Sequence, residues 1–206
     1  MFSNIKLKKK YKRNFRLSSE SGAGFTIIEV LVVTAIIIVF SIILISNFPQ
    51  FKIQFALSRT AYKFAQDVRR AQGMSLSSTQ YRDSNGILQP VKGYGVYVDI
   101  SNNKKYIIYA DVPLCVGCDG NQFYDSPADY IAENIDFSLN EPGVIIQQIN
   151  NIVGNNVSIN FAPPNPTTTI TPLPSQNSID IVFVLEGDLT KTKTVSINTA
   201  GLIEVK

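Results

Sequence analysis

Three groups of side chains in this sequence could do chemistry. One is a lone carboxylate, Glu29, set in an apolar run; one is a cysteine pair, Cys115 and Cys118; one is a string of acids and an amide, Asp111, Asp119, Asn121, Asp125 and Asp129. Histidine is absent from the sequence, which removes the commonest general base and metal ligand and every Ser-His or Cys-His nucleophile pair. One C-x-x-C supplies two ligands where a zinc site needs about four. A redox pair usually opens a helix beside a βαβ pattern, whereas Asp, Gly and Asn follow Cys118. A loop-closing disulfide is therefore the expectation for Cys115 and Cys118 if this part of the chain is extracytoplasmic, with two free thiols as the alternative. The acidic string fails as an EF-hand because Phe123 and Tyr124 stand where Asp or Asn and Gly are needed. An ordinary polar loop is expected over residues 111–130, with calcium a question for experiment and no metal or cofactor assigned.

Glu29 is the informative oddity. The 21 residues from Phe25 to Ile45 carry no other charge, and as a helix they would reach about 30 Å, the thickness of a bilayer's hydrocarbon core. An acid inside such a segment is costly, less so near an end, and marks a functional hypothesis by default. No Lys or Arg occurs between Leu17 and Phe51. One cation could be created nearby: the α-ammonium left if the chain is cut between Gly24 and Phe25. At ~4 Å that pairing is worth about 1 kcal/mol in water and about 4 kcal/mol at an effective dielectric of 20. The alternative is a Glu29 hydrated at the cytoplasmic interface.

The elements that must position these groups follow from pattern. Residues 1–24 hold seven Lys or Arg against one acid, Glu20. The positive-inside rule then places the N-terminus in the cytoplasm and everything after Ser46 across the membrane. Pro49 removes a helical hydrogen bond and disfavours helix at Phe48, so a kink or boundary is expected there. From Gln50 to about Ser77 the helical period returns. Leu57, Ala61, Phe64 or Ala65, Val68 and Ala71 form an apolar stripe with Phe51 and Phe55 upstream, and Lys52, Arg59, Lys63, Gln66, Asp67, Arg69 and Arg70 form a solvated face. Beyond Ser78 the signal is strands. A hairpin joins Tyr94–Ile100 to Tyr106–Ala110, and further strands are expected at 131–139, 144–149, 157–161, 179–185, 192–198 and 202–205. The proline-rich stretch 162–178 reads as an exposed loop of polyproline character.

Gly24-Phe25-Thr26-Ile27-Ile28-Glu29, with about twenty apolar residues after it and a short basic leader before it, resembles the class III signal of type IV pilins and type II secretion pseudopilins. The resemblance implies that a prepilin peptidase cuts after Gly24 and N-methylates Phe25. It also implies that Glu29 pairs with a neighbouring subunit's terminal amine during assembly. Residues 57–75, and an Asn-x-x-Gly-x-Ile ending at Asn198, Gly201 and Ile203, look like the GspH/FimT pseudopilin group. The implied fold is α+β: a long kinked N-terminal helix packed on an antiparallel β-sheet or small sandwich. Its parts would be a basic leader (1–24), a transmembrane and filament-core helix (25–46), an amphipathic helix (47–78) and an extracytoplasmic β-rich domain (79–206).

The implied role is structural, a subunit (minor rather than major) of a type IV pilus or type II secretion pseudopilus, and not an enzyme. Its implied partners are the prepilin peptidase, other pilin or pseudopilin subunits, the inner-membrane assembly platform and the membrane. The precursor's net charge of +3 misleads: the leader contributes 7 − 1 = +6, leaving −3 on the mature chain. Nucleic acid is thus not an expected general partner. The rival of a DNA-uptake minor pilin would need a basic C-terminal surface, where only Lys191, Lys193 and Lys206 stand among Glu186, Asp188 and Glu204. A signal-anchored enzyme is the remaining alternative, and the missing histidine and lack of a nucleophile motif count against it.

Overall fold

The structure, a computed structural model, describes residues 24–82, 85–113, 120–126, 128–163 and 167–206; within its helix the side chains of 46–51 are outside the described set. The chain forms two compact units, Met1–Ser46 and Asn47–Lys206. One helical element, α1 (Ile27–Leu76), carries both the apolar and the amphipathic segments. The class is α+β. The kink expected at Pro49 falls on residues whose side chains lie outside the described ones.

In the second unit the stripe legible in the sequence is the buried one: Leu57, Ala61, Phe64, Ala65, Val68 and Ala71 are all in the core. Phe55 is not. It is 62% exposed, because it stands two positions before Leu57, about 200° away around the helix. The helix ends where Ser78 adopts φ 48°, the left-handed conformation that closes helices, with the Thr79 N–H on the Met74 carbonyl at 3.1 Å.

Among the described residues eleven strands follow: β1 (Tyr81–Arg82), β2 (Leu88–Gln89), β3 (Gly93–Asp99), β4 (Lys105–Asp111), β5 (Tyr130–Asp136), β6 (Val144–Asn150), β7 (Asn156–Ala162), β8 (Thr167–Thr171), β9 (Ser178–Leu185), β10 (Asp188–Asn198) and β11 (Ile203–Val205). They form a small β1-β2 ribbon, a five-stranded sheet ordered β5-β4-β3-β7-β8 and a four-stranded sheet ordered β11-β10-β9-β6. Every pairing is antiparallel. Period-two alternation sends Tyr94, Val96 and Val98 of β3, Ile159 and Phe161 of β7, and Ile181 and Phe183 of β9 into one core with the helix. Phe64 joins the layers, with ring centroids 5.0 Å from Tyr106 of the larger sheet and 5.4 Å from Phe183 of the smaller.

Three expectations need correction. Strand β8 lies inside the stretch read as a polyproline loop, paired with β7 from Ser158↔Thr171 to Ala162↔Thr167. Thr167–Thr171 is a proline-free β-branched run at a sheet edge, where flanking prolines cost the ladder nothing. The strand expected to reach Leu139 stops at Asp136. There the Asp136 carboxylate caps a 3₁₀ turn, Phe137–Leu139, by accepting the Ser138 N–H at 3.0 Å.

The helix's charged face is exposed as expected at Lys52, Arg59, Lys63, Gln66, Arg69 and Arg70, and the third correction concerns Asp67 alone. Asp67 is only 7% exposed. It accepts the Tyr106 hydroxyl at 2.5 Å and pairs with Lys63 at 3.0 Å and Arg70 at 3.3 Å; burial, and then this hydrogen bond, push the Tyr106 phenol's pKa far up. Arg59 holds Glu141 through two bonds of 2.6 and 2.7 Å, Arg70 also reaches Glu133, and Arg69 donates to the Ile203 carbonyl on edge strand β11. These partners come from distant parts of the chain, so helical periodicity could not reveal them.

One close approach fixes the larger sheet. Gly95 faces Tyr109 across β3 and β4, and a Cβ on Gly95 would lie 2.5 Å from the Tyr109 ring. Gly95→Ala should therefore lower stability by about 1–3 kcal/mol in urea unfolding. The chain-entropy gain from replacing a strand glycine, about 0.5–1 kcal/mol, is too small to reverse that sign.

Candidate functional site

Gly24, Phe25 and Thr26 precede the first helical turn in non-helical backbone. Thr26 sets that boundary. Its hydroxyl accepts the Glu29 N–H at 3.2 Å and its carbonyl accepts the Val30 N–H at 3.2 Å. A helix opens with four unsatisfied donors, and a Thr cap of this kind contributes about 1 kcal/mol. The Thr-x-x-Glu signature of a capping box was present in the sequence, and it places Glu29 in the first turn of α1. Negative charge there meets the positive end of the helix dipole, worth about 0.3–1 kcal/mol. Among the described residues no hydrogen bond or ion pair engages the Glu29 carboxylate.

The scissile position of the sequence reading, Gly24-Phe25, thus sits ahead of the cap. Phe25 is 80% exposed, and nothing lies within 4 Å of where a Cβ on Gly24 would be. From Ile27 to Ile45 the helix has a mean hydropathy of 3.1 and none of it is buried. It is long and apolar enough to cross a membrane. Its two hydroxyls are already satisfied: Thr34 donates to the carbonyls of Val30 and Leu31 at 2.9 and 3.0 Å, and Ser41 to that of Ile37 at 2.8 Å. Such internal bonds let polar side chains sit in an apolar setting without water. A continuous exposed apolar surface of this extent calls for a cover, whether lipid or other helices.

Cys115 and Cys118 lie outside the described residues, as does Asp119. The rest of the acidic string is brought together, in a form the sequence did not suggest. Residues 120–126, 128 and 129 fold over the outer face of the five-stranded sheet. Tyr124 packs on Tyr97 and Tyr109 with ring centroids 4.9 and 5.4 Å apart, and its N–H meets the Ser158 hydroxyl at 3.1 Å. The Gln122 N–H donates to Asp111 Oδ2 at 3.0 Å, and the Thr169 hydroxyl to Gln122 Oε1 at 2.6 Å. Asp129 accepts the N–H groups of Val112 and Asp125 at 3.0 and 2.8 Å.

Asp111 is only 1% exposed, and burial pushes its pKa up to about 6 against the hydrogen bonds that favour its charge, with Asp129 adding repulsion. Burial also raises the pKa of Asp129. Both carboxylates serve as acceptors for loop amides. Among the described residues no group of three or more His, Cys, Asp or Glu is placed to hold a metal ion.

On the C-terminal strands Lys191 is exposed and Lys193 half-buried on β10, while Lys206 pairs with Glu204 at 3.7 Å. The Asn198 and Gly201 ending forms the β10-β11 turn. Asn198 Oδ1 accepts the Ala200 and Leu202 N–H groups at 3.0 and 2.8 Å, and Gly201 has φ 81°. Compared with family models, curated proteins and solved structures, the chain matches none.

Proposed function

We propose that this chain is a structural subunit, minor rather than major, of a type IV pilus or type II secretion pseudopilus. It is made as a precursor with a cytoplasmic leader, cut after Gly24, N-methylated at Phe25 and packed into a filament through its apolar helix. The globular unit is extracytoplasmic, and the partners are the peptidase, sibling subunits and the inner-membrane assembly platform. One observation carries the reading: an unburied apolar helix begins directly behind an exposed Gly24-Phe25 junction and bears a single acid in its first turn. A chain that only needed anchoring gains at most the helix-dipole interaction from Glu29; a chain assembled against the terminal ammonium of another copy gains an ion pair as well.

Gly24→Ala tests it. The position is open, so the added methyl leaves the fold unchanged, and any loss of processing reports recognition by the peptidase. The variant should remain entirely at precursor mass in membranes of cells expressing prepilin peptidase, while the parent loses its first 24 residues and gains one methyl group at Phe25. Intact-protein mass spectrometry reads both. An uncut parent chain overturns the proposal.

A further inference from the structure

We propose that the trough beside the β10-β11 turn binds saccharides that carry N-acetylhexosamine units. The inference is independent of the filament reading. The trough encloses about 450 Å³ on the outer face of the β11-β10-β9-β6 sheet, a volume within the range of small-ligand sites. Strand alternation builds its floor. Ile179, Ile197 and Ile203 face the core, so Ser178, Ser196, Asn198 and Glu204 turn outward. Register sets Asn198 across from Ser178, and Ser196 across from Glu204. The walls are the loop residues Gln176 and Asn177 on one side and the turn from Thr199 to Leu202 on the other.

These walls are fixed by the fold itself. Asn177 has φ 54°, a left-handed conformation uncommon outside glycine, and its carbonyl takes the Thr199 N–H at 2.9 Å. That bond ties the two walls together. Asn198 Oδ1 braces the turn by accepting the N–H groups of Ala200 and Leu202. Behind the turn, a Cβ on Gly201 would lie 2.9 Å from Gln72 Nε2 and 3.0 Å from Thr168 Oγ1, so the turn is seated on α1 and β8. A site held in this way spends little ordering entropy on a ligand.

Its side chains form an array of donors and acceptors that the fold leaves unused. Among the described residues the side chains of Gln176, Asn177, Ser196 and Thr199 make no hydrogen bond to the protein, and Asn198 keeps its Nδ2 once the oxygen is engaged. Ser178 has only a 3.4 Å bond to the Gln176 carbonyl, and Glu204 only its 3.7 Å pairing with Lys206. Primary amides match an acetamido group, because each can give a donor to its C=O and an acceptor to its N–H. Ala200 and Leu202, the latter 57% exposed, offer the acetamido methyl an apolar contact. The hydroxyls and the Glu204 carboxylate match ring hydroxyls.

The same lining disfavours other ligands. No Lys or Arg is among the described residues that line the trough, so phosphate or sulfate groups find no counter-charge there. An extended peptide reads a sheet through a free edge, whereas the main chain here is spent in the β9-β10-β11 ladders. No aromatic ring is among those lining residues either. A sugar is therefore gripped by its edges without a stacking platform, and its affinity falls in the millimolar range.

The test is amide NMR of the full chain in phosphocholine micelles, which carry no sugar head groups, titrated with tri-N-acetylchitotriose. Saturable shifts should appear at Ser178, Ser196, Thr199 and Leu202 and be absent from β3 and β4. Maltotriose, of equal length but without acetamido groups, should bind at least about fivefold more weakly. Ser196→Val suits an outward strand position and removes one hydroxyl, and it should weaken chitotriose binding about fivefold, the loss of one net hydrogen bond. Absence of saturable shifts overturns the proposal, and so does an equal response to maltotriose or to N-acetyl-trialanine amide. Unchanged affinity in a folded Ser196→Val overturns it as well. Should that variant fold poorly, the parent's ranking of the three ligands decides: chitotriose first supports the site, and any other order removes it.

Discussion

Phe64→Ala should lower the stability of the globular unit by about 3–5 kcal/mol, the cost of truncating a fully buried Phe. Phe64 is 0% exposed and is the helix's ring in an aromatic cluster. It stands edge-on to Tyr106 and tilted against Phe183, and Phe137 touches both of those rings at centroid distances of 6.3 and 6.2 Å. The loss therefore combines transfer free energy with a cavity bounded by two sheets and a 3₁₀ turn, elements that cannot all relax into one hole. Against a typical total stability of 5–15 kcal/mol, the midpoint of urea unfolding should fall steeply. Phe55→Ala is the internal comparison: same helix, same residue type, but exposed, with an expected change within about 0.5 kcal/mol. Similar costs for the two variants would mean that the helix is seated on the sheets by a different face.

Glu29→Gln should leave processing at Gly24 intact and abolish efficient incorporation into filaments. Gln keeps the size and the place in the first helical turn and removes only the charge. In the proposed assembly that charge meets the ammonium of an adjacent copy, a pairing worth about 4 kcal/mol at ~4 Å and an effective dielectric of 20. That corresponds to about a thousandfold in the equilibrium for each contact. Loss of the favourable dipole interaction costs at most about 1 kcal/mol and cannot produce so large a defect. Quantifying the variant in sheared filaments against the membrane pool separates the two roles. Incorporation at the parental level would leave Glu29 only its favourable interaction with the helix dipole.

The apolar segment and its leading edge were legible because each signal there is local. Length and apolarity identify the candidate span, and Thr26 to Glu29 is a capping signature of four residues, although the reading of Glu29 as a pairing residue drew attention away from the cap. The buried helical stripe was equally local, since a period of 3.6 needs no partner to be recognised. Most strands were found for the same reason, through alternation and turn residues. Strand β8 was missed because the many prolines around it outweighed five residues of β-branched sequence, and only pairing with β7 decides that they form a sheet edge.

The amino-acid sequence alone determined the order of elements, the face that the second half of the helix buries, and the position of a single acid ahead of an unburied apolar run. All of these follow from spacing along the chain. The tertiary structure decided which charges are clipped to distant strands, that Asp67 is buried under Tyr106, and that the acidic loop turns back over the sheet with Asp111 beneath it. The physical reason is that burial and desolvation depend on what is packed above a residue, and those covering groups lie far away in sequence: Asp67 is 39 residues from Tyr106, and Asp111 is 49 from Asn160. A carboxylate written beside glycines and prolines looks solvated until another part of the fold excludes the water.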